Sequence, residues 1–366
     1  MTKRASSLTY AKHLRLERLL SCQTRQSELS GRPAHDEMLF IVVHQAYELW
    51  FKQILFELDR IQAIFAGSRT SDQDLGVAVA GVARIVQIQK LLLQQLEVLE
   101  TMTPLDFLDF RDLLVPASGF QSVQFRLIEI RLGLRAEDRL SFDGRSYDAR
   151  LPPKDRARLS AAAQEPSLSD GIERWLARTP FVSSKDYDFR NVYRRAITEM
   201  LDKEAALARA NATRGPKQLE LELKAIEAAR ARFDSILDKN KHAALARDGV
   251  WRFSWRALQA ALFINLYRDE PVLQLPFRLL SGLMDIDEHL TAWRYRHALM
   301  VQRMIGRKLG TGGSSGHDYL RQTAERHRLF GDLFALSTFY VPRSRLPALP
   351  AKLRQILGYS YAKGTT

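Results

Sequence analysis

One cysteine, Cys22, serves the whole 366-residue chain. A single thiol excludes an intrachain disulfide, a Cys-based zinc site and thioether haem attachment, and a reducing cytoplasm is the expected setting. Long apolar runs are missing as well. The strongest, Leu39–Val43, is cut off by His44, against the ~18 residues that a membrane span needs, so no membrane association is expected. The first twenty residues carry five Lys or Arg and no apolar block, which argues against a secretory signal. Alternating strand patterns are scarce, and neither HExxH, an EF-hand loop nor a P-loop signature is present. Acidic charge is in deficit: 55 Lys and Arg face 42 Asp and Glu, for a net charge of +13. The excess sits at the ends, +5 in residues 1–33 and +5 in residues 342–366, which leaves +3 on the 308 residues between. No compact basic face follows from this, and nucleic acid is not an expected partner.

What the chain has instead is helical spacing rich in Leu, Ala, Arg, Glu and Gln. Over residues 39–66 the stripe Phe40, Val43, Tyr47, Trp50, Ile54, Leu58, Ile61 and Phe65 recurs at steps of three or four. Ile41, Val42, Leu49 and Phe56 are apolar too, so this helix is expected to be buried on most sides. Further helices are predicted over Gly81–Leu99, about Ser122–Leu134, Trp255–Tyr267, Pro276–Met284 and Ile286–Leu309. A loop-rich stretch covers 135–156, and Ser169 reads as the N-cap of a short helix before Pro180. Two charged helices, about Val192–Ala212 and Lys217–Leu237, split at Gly215–Pro216 and suggest a solvated hairpin standing off the body. No repeat or composition break divides the chain, so a single all-α domain over 1–366 is expected. It carries a basic N-terminal arm (1–33), a charged excursion (about 135–250) and a basic tail (342–366).

Two of the eight histidines stand out by context. His297 replaces an apolar residue in the row Ile286, Leu290, Trp293, His297, Met300 or Val301, Met304. It is either a core histidine bonded to a backbone carbonyl or an axial ligand to a flat hydrophobic cofactor. His44 lies one turn after Phe40, with Glu48 and Lys52 at i+4 and i+8, and a polar stripe at a helix interface explains that row equally well. Arg111 offers a planar fork suited to a carboxylate, or else a surface ion pair with Asp109 or Asp112. The Gly-rich stretch Gly310–Gly316 follows a helix, which suits a lid or a helix C-cap better than a phosphate loop.

These segments, read together, resemble the tryptophan 2,3-dioxygenases. The resemblance runs through Leu8–Leu14, His35–Asp59, Leu99–Arg111, Pro116–Glu129, Leu283–Asp287 and Trp293–Gly316, in family order and spread over about residues 8–345. The charged middle matches in pattern more than in letters. The resemblance implies an all-α enzyme with non-covalent haem b, a helical haem-dioxygenase fold that inserts both atoms of O2 across the indole C2–C3 bond of L-tryptophan. The product is N-formylkynurenine, the first intermediate of the kynurenine route of tryptophan catabolism.

On that resemblance His297 is the proximal iron ligand and His44 the distal histidine that meets the indole N–H. The run Phe40, Ile41, Val42, Val43 and His44, together with Phe107 and Leu114, lines the substrate pocket. Arg111 clamps the carboxylate, Thr311 meets the ammonium group, and Ser118 and Gly119 lie against the haem. The resemblance also implies a homotetramer whose N-terminal arm, at Tyr10 and Leu14, completes a neighbour's pocket, although His13 stands where the family often has Tyr. Two other readings compete: a haem oxygenase or hydroxylase of another aromatic amino acid, and a haem carrier or sensor. The joint presence of Phe40, His44, Arg111 and Thr311 favours tryptophan, since a bare carrier has no use for a pair suited to a zwitterion.

Overall fold

The computed structural model describes residues 8–140, 151–183, 187–211, 213, 215–306, 308 and 316–359. The described residues are mainly helical, and their one β pairing is an isolated bridge between Ser183 and Asp188, as the all-α expectation requires. Helical turns at Tyr10–Leu14, Leu16–Leu19 and Gln26–Leu29 come first. The helices of eight or more residues then follow as α1 (Glu37–Ala66), α2 (Asp72–Leu99), α3 (Pro104–Arg111), α4 (Val123–Leu132), α5 (Pro153–Gln164) and α6 (Leu168–Ala177). After them come α7 (Phe189–Ala210), α8 (Pro216–Leu237), α9 (Lys239–Arg247), α10 (Trp255–Leu266), α11 (Pro271–Ile305) and α12 (Gly316–Arg326).

The frame consists of α1, α2 and α11. A capping box starts α2: Ser71 Oγ accepts from the Asp74 N–H at 3.1 Å while Asp74 accepts from the Ser71 N–H, which satisfies two otherwise orphaned donors. The α2 helix packs on α1 and on α11. Gly282 lets α2 and α11 approach closely, because a Cβ there would lie 2.5 Å from Val82 Cγ1. Gln89 of α2 donates to the Ile286 carbonyl of α11 at 3.2 Å, which adds a polar tie inside an apolar seam. Among the described residues α2 alone is long and apolar enough to cross a membrane, yet more than half of that stretch is buried inside the fold. It is a core helix. The N-terminal segment is tied to α1 through buried Glu37, whose two carboxylate oxygens accept from the N–H groups of Gln26 and Ser27, both at 2.8 Å.

Several expectations change in detail. The face of α1 that holds Val42, Leu49 and Phe56 is open, at 46%, 53% and 68% exposure, so the helix is buried on one side rather than most. The predicted segments Pro276–Met284 and Ile286–Leu309 are one helix, because Asp285 and Asp287 do not interrupt its backbone ladder and Asp287 is itself buried. The N-cap of α6 is Ser167, not Ser169: Ser167 and Asp170 form the capping box, and Ser169 is already helical. A further helix, α5, begins inside the stretch read as loop. The hairpin of α7 and α8 exists, but its root is built into the body through Phe189, Tyr193, Phe233 and Ile236, all buried, and through a hydrogen bond from the Tyr193 hydroxyl to the Phe339 carbonyl.

Candidate active site

A cavity of about 300 Å³ opens where α1, α2, α3, α4, α11 and α12 meet. Its α1 wall carries Phe40, His44, Tyr47 and Glu48: His44 follows Phe40 by four residues, and Tyr47 and Glu48 follow His44 by three and four, which places them on one helical face. Phe107 and Arg111 enter from α3, and Ser118, Gly119, Phe120 and Ser122 from the turn before α4. The opposite side is α11, with Trp293, Arg294, His297, Met300, Val301 and Met304.

The lining near His44 is aromatic. The Phe40 ring lies 5.8 Å from Phe107, stacked, and 5.7 Å from Phe110, edge-on, while Phe107 and Phe110 meet at 5.5 Å. The His44 ring is itself 4.1 Å from Phe40. Nδ1 of His44 lies 2.7 Å from the Phe40 carbonyl, which can only accept, so Nδ1 carries the proton. Desolvation by the surrounding walls lowers the pKa of His44; the Phe40 carbonyl and the Glu48 carboxylate oppose that shift and do not cancel it. The ring is therefore neutral near pH 7, and its Nε2 presents a bare lone pair.

Glu48 fixes the turn that carries Ser118 and Gly119. It accepts from Ser122 Oγ at 2.6 Å and from Gln124 Nε2 at 2.8 Å. Lys52, the next member of the row read from the sequence, points to solvent.

His297 lines the cavity, while its Nδ1 is buried and meets no hydrogen-bond partner. Burial draws its pKa down to about 4, with a smaller push from His44, so the imidazole is neutral. Trp293, one turn earlier, packs on it at 5.0 Å and donates its indole N–H to Tyr47 Oη at 3.3 Å. Tyr47 Oη in turn donates to the Leu92 carbonyl at 2.5 Å. Burial pushes the Tyr47 phenol up to about 12, so it stays a donor. A neutral imidazole in an apolar wall suits a metal that brings its other ligands with it. Among the described residues no group of three or more His, Cys, Asp or Glu side chains could hold a bare ion.

A buried polar cluster lines the cavity between α4, α11 and α12. Glu129 accepts from Arg126 Nη1 at 2.9 Å and from Arg294 Nη2 at 2.7 Å. Burial alone would raise the Glu129 carboxyl, but Arg126, His327 and Arg294 outweigh it and hold the group far below the usual carboxylate range. Arg294 also donates to the His327 carbonyl at 3.2 Å, and Tyr319 and Thr323 of α12 complete this side. None of these residues stood out in the sequence, although Arg294 carried a signal: a guanidinium one turn from His297 on a core-facing row.

The cavity thus brings together Phe40, His44, Phe107, Arg111, Ser118, Gly119 and His297. Other expected residues lie elsewhere. Val43 is in the core, Ile41 is half-buried and Val42 faces solvent, because three consecutive residues cannot share one helical face. Leu114, in the turn after α3, packs against the core beside the cavity. Tyr10 and Leu14 are 76% and 43% exposed on the short N-terminal helix. Thr311 lies outside the described residues. Asp112, one candidate partner of Arg111, pairs with Arg32 at 2.8 Å.

Such an architecture, an all-α body around an apolar cavity with two neutral imidazoles and an arginine fork, defines a helical protein suited to a flat metal-bearing cofactor and an aromatic, acidic small molecule. The sequence model of the tryptophan 2,3-dioxygenase family matches residues 1–340. A Bdellovibrio bacteriovorus protein named tryptophan 2,3-dioxygenase is 46% identical over 352 residues, which cover 96% of this chain and 98% of that one. One from Alteromonas mediterranea is 46% identical over 359 residues (98% and 99%), and one from Dictyostelium discoideum 43% identical over 354 residues (96% and 88%). The chain belongs to the tryptophan 2,3-dioxygenase family.

Proposed function

We propose that this chain opens the indole ring of L-tryptophan at the C2–C3 bond, adding both atoms of O2 to give N-formylkynurenine, with one non-covalent haem b held by His297. The observation that carries the reading is the orphaned, neutral His297 imidazole in the same cavity as His44 and Arg111. Haem, bound there, supplies the activation of O2.

The chain's own residues do the rest. Phe40 and Phe107 give the indole two aromatic faces. His44 Nε2 accepts a hydrogen bond from the indole N–H, which fixes the ring and leaves its proton in place. Arg111 meets the carboxylate with its planar fork, and Thr311 meets the ammonium group. Apolar walls exclude water that would compete with O2 for the reacting carbons. Ser118 and Gly119 border the cofactor.

We read residues 1–366 as one haem-dioxygenase domain that acts in a reducing cytoplasm, in keeping with Cys22 as its one, free thiol. We also read it as a homotetramer in which Tyr10 and Leu14 complete a neighbour's pocket. The exposed apolar residues Leu8, Tyr10, Leu14 and Leu20, and the open row Val42, Leu49 and Phe56, support that assembly.

The test is reduced, haem-loaded protein with L-tryptophan and isotope-labelled O2. N-formylkynurenine carrying both labels is expected. A haem-loaded protein that consumes no tryptophan, or whose product carries one label, would overturn the reading.

A further inference from the structure

The row His44, Glu48 and Lys52 read from the sequence leaves one member without a task. His44 meets the substrate and Lys52 faces solvent, while Glu48 lies half-buried on the cavity wall, one helical turn beyond His44. Its carboxylate is held by a single neighbouring segment: Oε1 accepts from Ser122 Oγ at 2.6 Å and Oε2 from Gln124 Nε2 at 2.8 Å. The Gln124 amide also donates to the Glu48 carbonyl at 2.8 Å, so main chain and side chain of one residue grip the same group. The segment beyond is a closed unit. The Gln121 N–H donates to the Ser118 carbonyl at 2.9 Å, that of Ser122 to the Gly119 carbonyl at 3.1 Å, and that of Ser118 to Gln121 Oε1 at 3.2 Å. These bonds make residues 118–122 move as one body, and its first two members, Ser118 and Gly119, line the cavity. Ser122 Oγ, while it donates to Glu48, accepts from the Phe125 N–H at 3.2 Å and so caps α4. The same turn meets α12 through Phe120, edge-on to Tyr319 at 5.0 Å. A ring edge can slide over its neighbour, whereas a short hydrogen bond to a carboxylate fixes both a distance and a direction.

We propose that Glu48 is a positioning residue: through Ser122 it sets the distance between the wall of Ser118 and Gly119 and the His44 ring, and with it the room in which the indole carbons meet O2. This rests on the dioxygenase reading. His44 and Glu48 share one face of α1, so the group that orients the indole and the group that holds the opposite wall stand on one rigid piece of helix. The substrate is gripped from α1 and α3, by Phe40, Phe107 and Arg111, and not from the turn. A slackened turn therefore disturbs the reacting geometry and leaves the grip intact, which lowers kcat and spares KM.

The test uses haem-loaded protein and two readouts. Glu48→Gln and Ser122→Ala should each lower kcat for L-tryptophan about ten- to a hundredfold, with KM within about threefold of the wild type. Ser122→Thr, which keeps the hydroxyl, should recover most of the rate. The double variant Glu48→Gln with Ser122→Ala should lose no more than the worse single variant, because one connection is cut twice. Hydrogen exchange read by mass spectrometry needs no turnover: Glu48→Gln should speed exchange at residues 118–122 and leave α3 as it was. Unchanged exchange in the turn would overturn the anchor. Faster exchange at unchanged kcat, a loss confined to KM, or losses that add in the double variant would overturn the positioning role while the dioxygenase reading stands. A haem-loaded wild type that consumes no tryptophan overturns that reading and the positioning role with it, and the exchange result still decides whether Glu48 holds the turn.

Discussion

Trp293 donates its indole N–H to the hydroxyl of Tyr47 at 3.3 Å, which ties the helix of His297 to the helix of His44. Both candidate imidazoles thus hang from one hydrogen-bonded post, and the same hydroxyl continues to α2 through the Leu92 carbonyl. Tyr47→Phe keeps the ring and removes the post. It strands the indole N–H of Trp293 and should lower stability by about 1–3 kcal/mol, read as a lower urea midpoint at an unchanged slope. An unchanged midpoint would mean that Trp293 is positioned by packing alone.

The two histidines should part in mutagenesis. His297→Ala should bring down the haem Soret band. His44→Ala should keep it and lose about ten- to a thousandfold in activity, as expected for a group that orients the substrate through a hydrogen bond. Loss of haem in the His44 variant would reverse the assignment of roles.

Acid should destabilise the haem-free protein through His297. Its folded pKa, about 4, lies below the ordinary 6.5, so between those values the unfolded chain binds more protons. Stability is then complete above about pH 6.5 and falls as the pH drops toward 4, by at most about 1.4 kcal/mol per pH unit from this group. The urea stability of His297→Leu, measured beside the wild type, should lack that component. Two curves that stay parallel from pH 7 to 4 would show that His297 is not the group responsible.

Arg111 is tested with two substrates. Against L-tryptophan, Arg111→Leu should lose about 2–5 kcal/mol of kcat/KM, roughly thirty- to several-thousandfold, and Arg111→Lys less, because lysine keeps the charge without the fork. Tryptamine lacks the carboxylate and should be a poor substrate that loses little further in Arg111→Leu. Equal losses on both would mean that Arg111 supports the fold or the haem.

The seam between α2 and α11 can be probed at Gly282. Gly282→Ala puts a methyl group 2.5 Å from Val82 Cγ1 and should cost about 1–3 kcal/mol, seen as a lower Tm. Val82→Ala in the same chain should return much of it. A single variant as stable as the wild type would show that the two helices yield there.

Helical spacing singled out candidate residues, and the resemblance to the family, not the spacing, gave them their roles. His297 interrupts the row from Ile286 to Met304, and the cavity lies against that row. His44 stood out on α1 as the head of the row with Glu48 and Lys52, beside the apolar stripe. The inward stripe of α1 was legible, since Val43, Tyr47, Ile54, Leu58, Ile61 and Phe65 are buried as read, but the fate of its flanks was not: Val42 and Phe56 match Val43 and Phe51 in type, and only the placement of α2 and α4 separates them. The cluster of Arg126, Glu129 and Arg294 stayed hidden for another reason. It joins residues 126 and 294 across the fold, and no local spacing encodes such a pair. Ser169 took the cap reading from Ser167 because two serines lie two residues apart, and the deciding partner, Asp170, stands three residues after only the first.

The walls of the cavity run in sequence from Phe40 to Thr323. The wall on α12 is fastened from its far end: Asp287 accepts from the N–H groups of Leu329 and Phe330, both at 3.1 Å, and Arg294 holds the His327 carbonyl. A chain still on the ribosome, with residue 330 not yet released, lacks that fastening and cannot close the chamber. On the proposed haem reading, cofactor capture waits for α12, and a truncation that spares both histidines but ends before α12 would leave the chamber open along one side.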